Sequence, residues 1–241
     1  MGVTTPDQDR PEPIGHEHRD VAGGWLRPAV FGAMDGLVTN VSLIAGVGGG
    51  GGSQHAIVLT GLAGLAAGAF SMAAGEFVSV SSQNELVQAE VDKERQELAH
   101  NADAEQAELV GMLRRRGISA ATARLAAAEI SAHPDKALAV HTLEELGVNS
   151  ADLPSPYVAA GASLVSFAVG ALIPLLPYAL GADSLWLALA LAAIAAIAGG
   201  GMVARLTGRP FWRGALRQLV LGALAAGITY LIGLAVGGMA G

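Results

Sequence analysis

The sequence predicts an all-α membrane protein: a five-span transmembrane helical bundle with a polar helical domain inserted after the second span. Three observations carry that prediction. Charged residues make up 15% of the 241 residues and hydrophobic ones 52%, whereas soluble domains carry about 25% charged residues. The charges are also segregated, because residues 85–145 hold 12 of the 21 acids and 7 of the 14 bases. Beyond Leu146 only Asp152, Asp183, Arg205, Arg209, Arg213 and Arg217 are charged. Finally, five apolar stretches each approach the ~20 residues needed to cross a hydrocarbon core of about 30 Å.

In chain order, residues 1–24 are polar and rich in Pro, Asp and Glu, with no apolar run. They read as a disordered cytosolic tail and not as a secretory signal. Residues 25–81 hold the first two spans, at about 28–47 and 56–81. Lipid offers the backbone no hydrogen-bond partners, so each span is expected to be a helix. The glycine-rich link 48–54 lacks the Gly-Lys-Ser/Thr ending of a phosphate-binding loop and reads as a turn. Gly61, Gly64 and Gly68 in the second span suggest close approach of another helix, and the reading gives that place to a second copy of the chain. Residues 151–241 hold the last three spans, at about 156–180, 185–204 and 216–239.

The insert, residues 82–150, reads as four helices. The first continues the second span without a break except Gly75. The second opens at Asp103, with Gln106 as a capping-box partner, and ends at Gly117 behind Arg114, Arg115 and Arg116. That arginine cluster suits a solvated helix C-terminus. A third helix covers 119–132, and a fourth covers 135–146 and closes at Gly147.

Orientation follows from counting charges. With the N-terminus in the cytosol, every Lys and Arg lies in or beside an inside stretch, and no outside loop carries one. This is the positive-inside pattern. It places the insert in the cytosol and the C-terminus outside. The absence of Cys excludes disulfides, iron–sulfur clusters and thiolate zinc sites. A net charge of −7 without a basic stripe gives no reason to expect nucleic acid as a partner.

Two acids fall inside apolar spans, Asp35 and Glu76. Carboxylates in a span are costly and mark an ion path when they face a bundle interior; the alternative is that they snorkel to the surface. Met72 lies one turn from Glu76 on the same face, and the reading sets Glu76 at a depth comparable to Asp35. Thr39, Asn40 and Ser42 continue a polar track beyond Asp35. In the insert, Glu90, Glu94 and Glu97 share one helix face. Glu105 and Glu108 share the next, with Met112 following. A turn at 101–103 brings the two faces together. Glu144 and Glu145 end the fourth helix, with His141 one turn before Glu145. Carboxylates with an imidazole suit Fe²⁺, Mn²⁺, Co²⁺ or Zn²⁺; the other reading of the same spacing is an acidic solvated surface. His16-x-His18 is a candidate accessory metal tag in the disordered stretch, whereas His55 and His133 have no obvious partners.

The stretches FGAMDGLVTN around Asp35, GAFSMAAGEFVSVSSQNE around Met72 and Glu76, KERQEL followed by AEQAEL, and GALIPLLPY in the third span resemble the vacuolar iron transporter family, from Trp25 to the C-terminus. The resemblance implies a transporter and not an enzyme, with no prosthetic group. It implies a homodimer with the ion path between subunits, and a cytosolic helical metal-binding domain on an extension of the second span. The cargo it implies is Fe²⁺ exchanged for protons, with Mn²⁺, Co²⁺ or Zn²⁺ as the other divalent possibilities. Carried over by position, Asp35 and Met72 match the membrane metal pair, and Glu76 holds a position at which members differ. Glu94, Glu97, Glu105, Glu108 and Glu145 match the domain glutamates, while His141 stands where a methionine ligand is expected. The implied activity is proton-coupled export of ferrous iron from the cytosol. The rivals are a Mn, Co or Zn transporter and a membrane-anchored metal buffer. Abundant Ala and Arg with few Lys point to a bacterial plasma membrane.

Overall fold

The computed structural model describes residues 24–149 and 152–240, and every regular element among them is an α-helix. The helices are α1 (Leu26–Gly49), α2 (Gln54–His100), α3 (Ala102–Arg115), α4 (Ala120–Ser131), α5 (Pro134–Leu146), α6 (Pro156–Ala179), α7 (Leu185–Leu206) and α8 (Phe211–Ala240). Five of these, α1, α2, α6, α7 and α8, are long and apolar enough to cross a membrane. They coincide with the five predicted spans. The segment read as a disordered tail, with His16 and His18, lies outside the described residues except for Gly24.

Helix α2 runs unbroken for 47 residues, about 70 Å at 1.5 Å per residue. That is twice the hydrocarbon thickness, so its second half extends beyond the apolar bundle. Helices α3 and α5 pack on this extension, and α4 packs on both of them, with Leu109, Met112 and Ala127 at the core.

Two helix starts differ from the sequence reading. Helix α8 begins at Phe211, five residues before its apolar stretch, and so takes Arg213 onto the helix together with Arg217. Hydropathy marks only the part that suits lipid, whereas Arg, Ala, Leu and Gln all favour helix and arginine stems snorkel. Helix α3 begins at Ala102 behind Asn101, with no side-chain cap, so the expected capping box at Asp103 does not form. Asp103 and Glu105 instead occupy the first turn, where negative charge opposes the helix dipole. The remaining insert helices follow the reading. Ser119 caps α4 by accepting from Thr122 N–H at 3.3 Å, and Gly147 closes α5 in the left-handed conformation at φ 67°.

Glycine sets the bundle's packing. A Cβ at Gly36 would run into the Phe167 carbonyl, and one at Gly170 into the Ala33 carbonyl, so α1 and α6 touch backbone to backbone. Gly200 and Gly214 do the same for α7 and α8. The α2 stripe expected to meet a second copy is used within the chain: Gly61 faces Leu175, Gly64 faces Leu43 and Asn40, and Gly68 faces the Phe167 ring. The glycines give no support to a dimer face, because close approach to α1 and α6 already requires them.

These contacts fix the register of α1 against α2. Gly36 and Gly68 both meet Phe167, and a Cβ on Gly64 would lie 3.4 Å from Asn40 Oδ1. Asp35 is therefore level with Ala69. Met72 lies about 4 Å, and Glu76 about 10 Å, nearer the insert end along α2. The expectation of comparable depth for Asp35 and Glu76 is corrected. Glu76 is level with Pro28, near the start of α1.

Candidate metal centre

Three helices supply the site. Helix α2 ends in a tight reversal, where Asn101 N–H donates to Glu97 O at 2.8 Å and Ala104 N–H to Asn101 O at 2.8 Å. The reversal turns Glu94 of α2 toward Glu105 of α3. Helix α5 packs against α2 and delivers His141 and, one turn later, Glu145.

His141 Nδ1 lies 3.0 Å from Glu94 Oε1, 3.6 Å from Glu105 Oε2 and 3.4 Å from Glu145 Oε1. The imidazole is fully buried, and Glu94 and Glu105 are each 7% exposed; the Glu145 side chain keeps an opening to solvent at 33%. Neither Glu94 Oε1 nor Glu105 Oε2 has a good hydrogen bond, and His141 Nε2 has no partner. Buried polar atoms left this way are costly unless something else satisfies them. Donors about 2.1 Å from a tetrahedral ion lie roughly 3.4 Å apart, and the separations around Nδ1 bracket that value. Among the described residues, Glu94, Glu105 and His141 form the one group of three His, Asp or Glu whose donor atoms lie within 4.8 Å of one another.

Electrostatics agree with geometry. Burial, followed by the neighbouring Glu145 charge, pushes the Glu94 carboxyl up to about 7, against a counter-pull from His141. Burial raises Glu105 as well, again opposed by His141. Without an ion these carboxyls hold protons more tightly than usual. A divalent cation would stabilise their charged forms, so protons leave as metal enters.

The other predicted ligands stand further out. Glu97 is part-exposed, 4.0 Å from Lys93, and its charge raises both Glu94 and Glu105. Glu108 and Glu90 are exposed, with Glu108 acting on Glu105 through its charge. Met112 is buried in the core of the insert. Glu144 leaves the site altogether and pairs with Arg116 at 3.1 Å. That pair ties the ends of α3 and α5, a role the sequence reading missed because neither residue's spacing reveals its partner.

In the bundle, Asp35 is part-buried and accepts a hydrogen bond from Thr39. Met72 packs against Ala69, Phe167 and Ala171. Asn40 is fully buried; its Nδ2 donates to Ala171 O at 2.6 Å while its Oδ1 has no partner. Ser42 and Ser163 Oγ are likewise buried without partners. Ser163, on α6 opposite Gly32, is absent from the sequence reading because a serine in an apolar helix carries no signal of its own. Neither Asp35 nor Glu76 belongs to a three-residue His, Asp or Glu group among the described residues.

The chain as a whole is similar to known proteins. The model of the VIT family matches residues 26–234. A protein named vacuolar iron transporter, from Acanthamoeba castellanii, is 36% identical over 229 residues, covering 91% of this chain and 82% of the relative. Vacuolar iron transporter homolog 1 from Oryza sativa subsp. japonica is 37% identical over 211 residues, covering 86% and 71%.

Proposed function

The chain belongs to the VIT family, and on that premise we propose that it exports ferrous iron from the cytosol in exchange for protons. The observation that carries the capture step is the meeting of Glu94, Glu105, His141 and Glu145 within 3.0–3.6 Å of one imidazole nitrogen. Glu94 stands on the same face of α2 as Glu76, about five turns away along one continuous helix. Metal taken up at the insert is delivered toward Glu76, then Met72, then Asp35, which is the order the register gives along the axis. The buried oxygen of Asn40 continues that line.

Cytosolic placement of the insert rests on charge. Arg27, Arg205, Arg209, Arg213 and Arg217 all belong to the insert end of the bundle, as the positive-inside pattern requires. Proton coupling rests on the raised carboxyls of Glu94 and Glu105, since groups that release protons on binding metal can exchange one for the other. A homodimer supplies what Asp35 lacks in a single chain, namely further donors from a second copy.

His141 favours a second reading of selectivity. A nitrogen donor among carboxylates accepts Zn²⁺ and Co²⁺ as well as Fe²⁺. Uptake of each metal into proteoliposomes, with and without a pH gradient, tests the proposal. Iron flux that responds to the gradient is expected. Binding without flux would leave only a metal buffer.

A further inference from the structure

Helix α8 is the least covered of the five long helices, and one stripe stays bare along its length. Leu224, Ile228 and Leu231 are each more than half exposed, and their spacing keeps them on one face. Followed toward the insert end, the same stripe passes through Val220 and reaches Arg217 and Arg213, both exposed. A lipid-facing apolar stripe therefore ends in two guanidiniums. At 30 residues, α8 is about 45 Å long against a core of about 30 Å. Its arginine end reaches the headgroup level.

The surroundings fix the charge. Arg213 lies 5.4 Å from the ring centre of exposed Trp212, and Arg205 lies 5.2 Å from that of Phe211. Among the described residues no carboxylate pairs with Arg205, Arg209, Arg213 or Arg217, and no acid follows Asp183 in the sequence. A second copy is a poor occupant, because a two-fold axis along the membrane normal would set each Arg213 against its own counterpart. A guanidinium fork matches phosphate oxygens, and clustered arginines beside a span favour anionic lipid.

We propose that this face of α8 binds an anionic phospholipid. Its phosphate sits on Arg213 and Arg217, and an acyl chain lies along Leu224, Ile228 and Leu231. The test is lipid binding to the full chain, delipidated in detergent and titrated with phosphatidylglycerol or phosphatidylcholine, with bound lipids counted by native mass spectrometry. Phosphatidylglycerol should be retained in preference to phosphatidylcholine. Arg213→Gln with Arg217→Gln should weaken it roughly 25-fold, about a factor of five for each guanidinium. Arg213→Lys with Arg217→Lys should keep most of the binding, and Arg114→Gln with Arg124→Gln in the insert should leave it unchanged. Equal retention of both lipids, or parental binding by the Gln pair, overturns the proposal. So does displacement of the lipid by millimolar inorganic phosphate, which would mark a site for free anions alone.

Discussion

Glu94 Oε1 and His141 Nδ1 stand 3.0 Å apart, although they lie on different helices with two more between them in sequence. The contact requires the α2–α3 reversal at Asn101 and the return of α5 along α2. It links the insert's fold to its chemistry: if α5 shifts, the imidazole leaves the carboxylates. His141 is fully buried, so its cost is offset only while its partners remain.

Removing that nitrogen should cost metal affinity. Even a residue that merely orients a ligand costs roughly 10–100-fold when lost, so His141→Ala should weaken Zn²⁺ and Co²⁺ binding by at least that much. His141→Met should keep a ligand and shift preference toward softer metals. Isothermal titration of the full chain in detergent reads both. Parental affinity in His141→Ala would leave the four residues as a structural cluster.

The pH dependence has a defined sign. Glu94 titrates near 7 in the folded chain and at an ordinary lower value when unfolded, so the metal-free fold binds more protons than the unfolded chain. Its contribution to metal-free stability is complete below the ordinary carboxylate range and is lost as pH rises through about 7. Metal affinity runs the other way, rising with pH until about 7 and then levelling, because the ion needs the carboxylate. Thermal unfolding and metal titration across pH 5–8 check the two trends. Glu94→Gln should flatten both.

A contrast comes from Arg116 and Glu144. Arg116 is 67% exposed at its side chain, and exposed pairs contribute about 0–1 kcal/mol. Arg116→Ala should lower stability by no more than that and leave metal affinity unchanged. A large loss of affinity would show that the brace holds α5 in place for the site.

Packing makes its own prediction. Gly36→Leu sets a side chain against the backbone of Phe167, which that backbone cannot yield. Overpacking costs about 1–3 kcal/mol even where side chains can move, so this variant should lose at least as much. Gly75→Ala, with open space around it, should be neutral or slightly stabilising. Thermal melts of the purified chain in detergent decide.

Most of the fold was legible because lipid leaves few options. Apolar length, charge segregation and the run from Phe70 to Ala99, with no breaker except Gly75, dictated five spans and one long α2. The start of α8 was not legible, since hydropathy stops where arginines begin while helix propensity does not. In the insert, Glu94, Glu105 and Glu145 were readable as carboxylates on facing helices. Which of them would close on His141, and that Glu97 and Glu108 would stay outside, depended on helix rotations that spacing alone leaves open. The depth of Glu76 needed the glycine contacts of Gly36, Gly64 and Gly68 to set the register.

The central claim is that metal crosses the bundle past Asp35. It is tested most directly by Fe²⁺ flux into proteoliposomes carrying the parent chain or Asp35→Ala, with metal binding to the same preparations measured in parallel. The parent should move iron in proportion to an imposed pH gradient. Asp35→Ala should bind metal at the insert as the parent does and move none. Undiminished iron flux in Asp35→Ala would contradict the account.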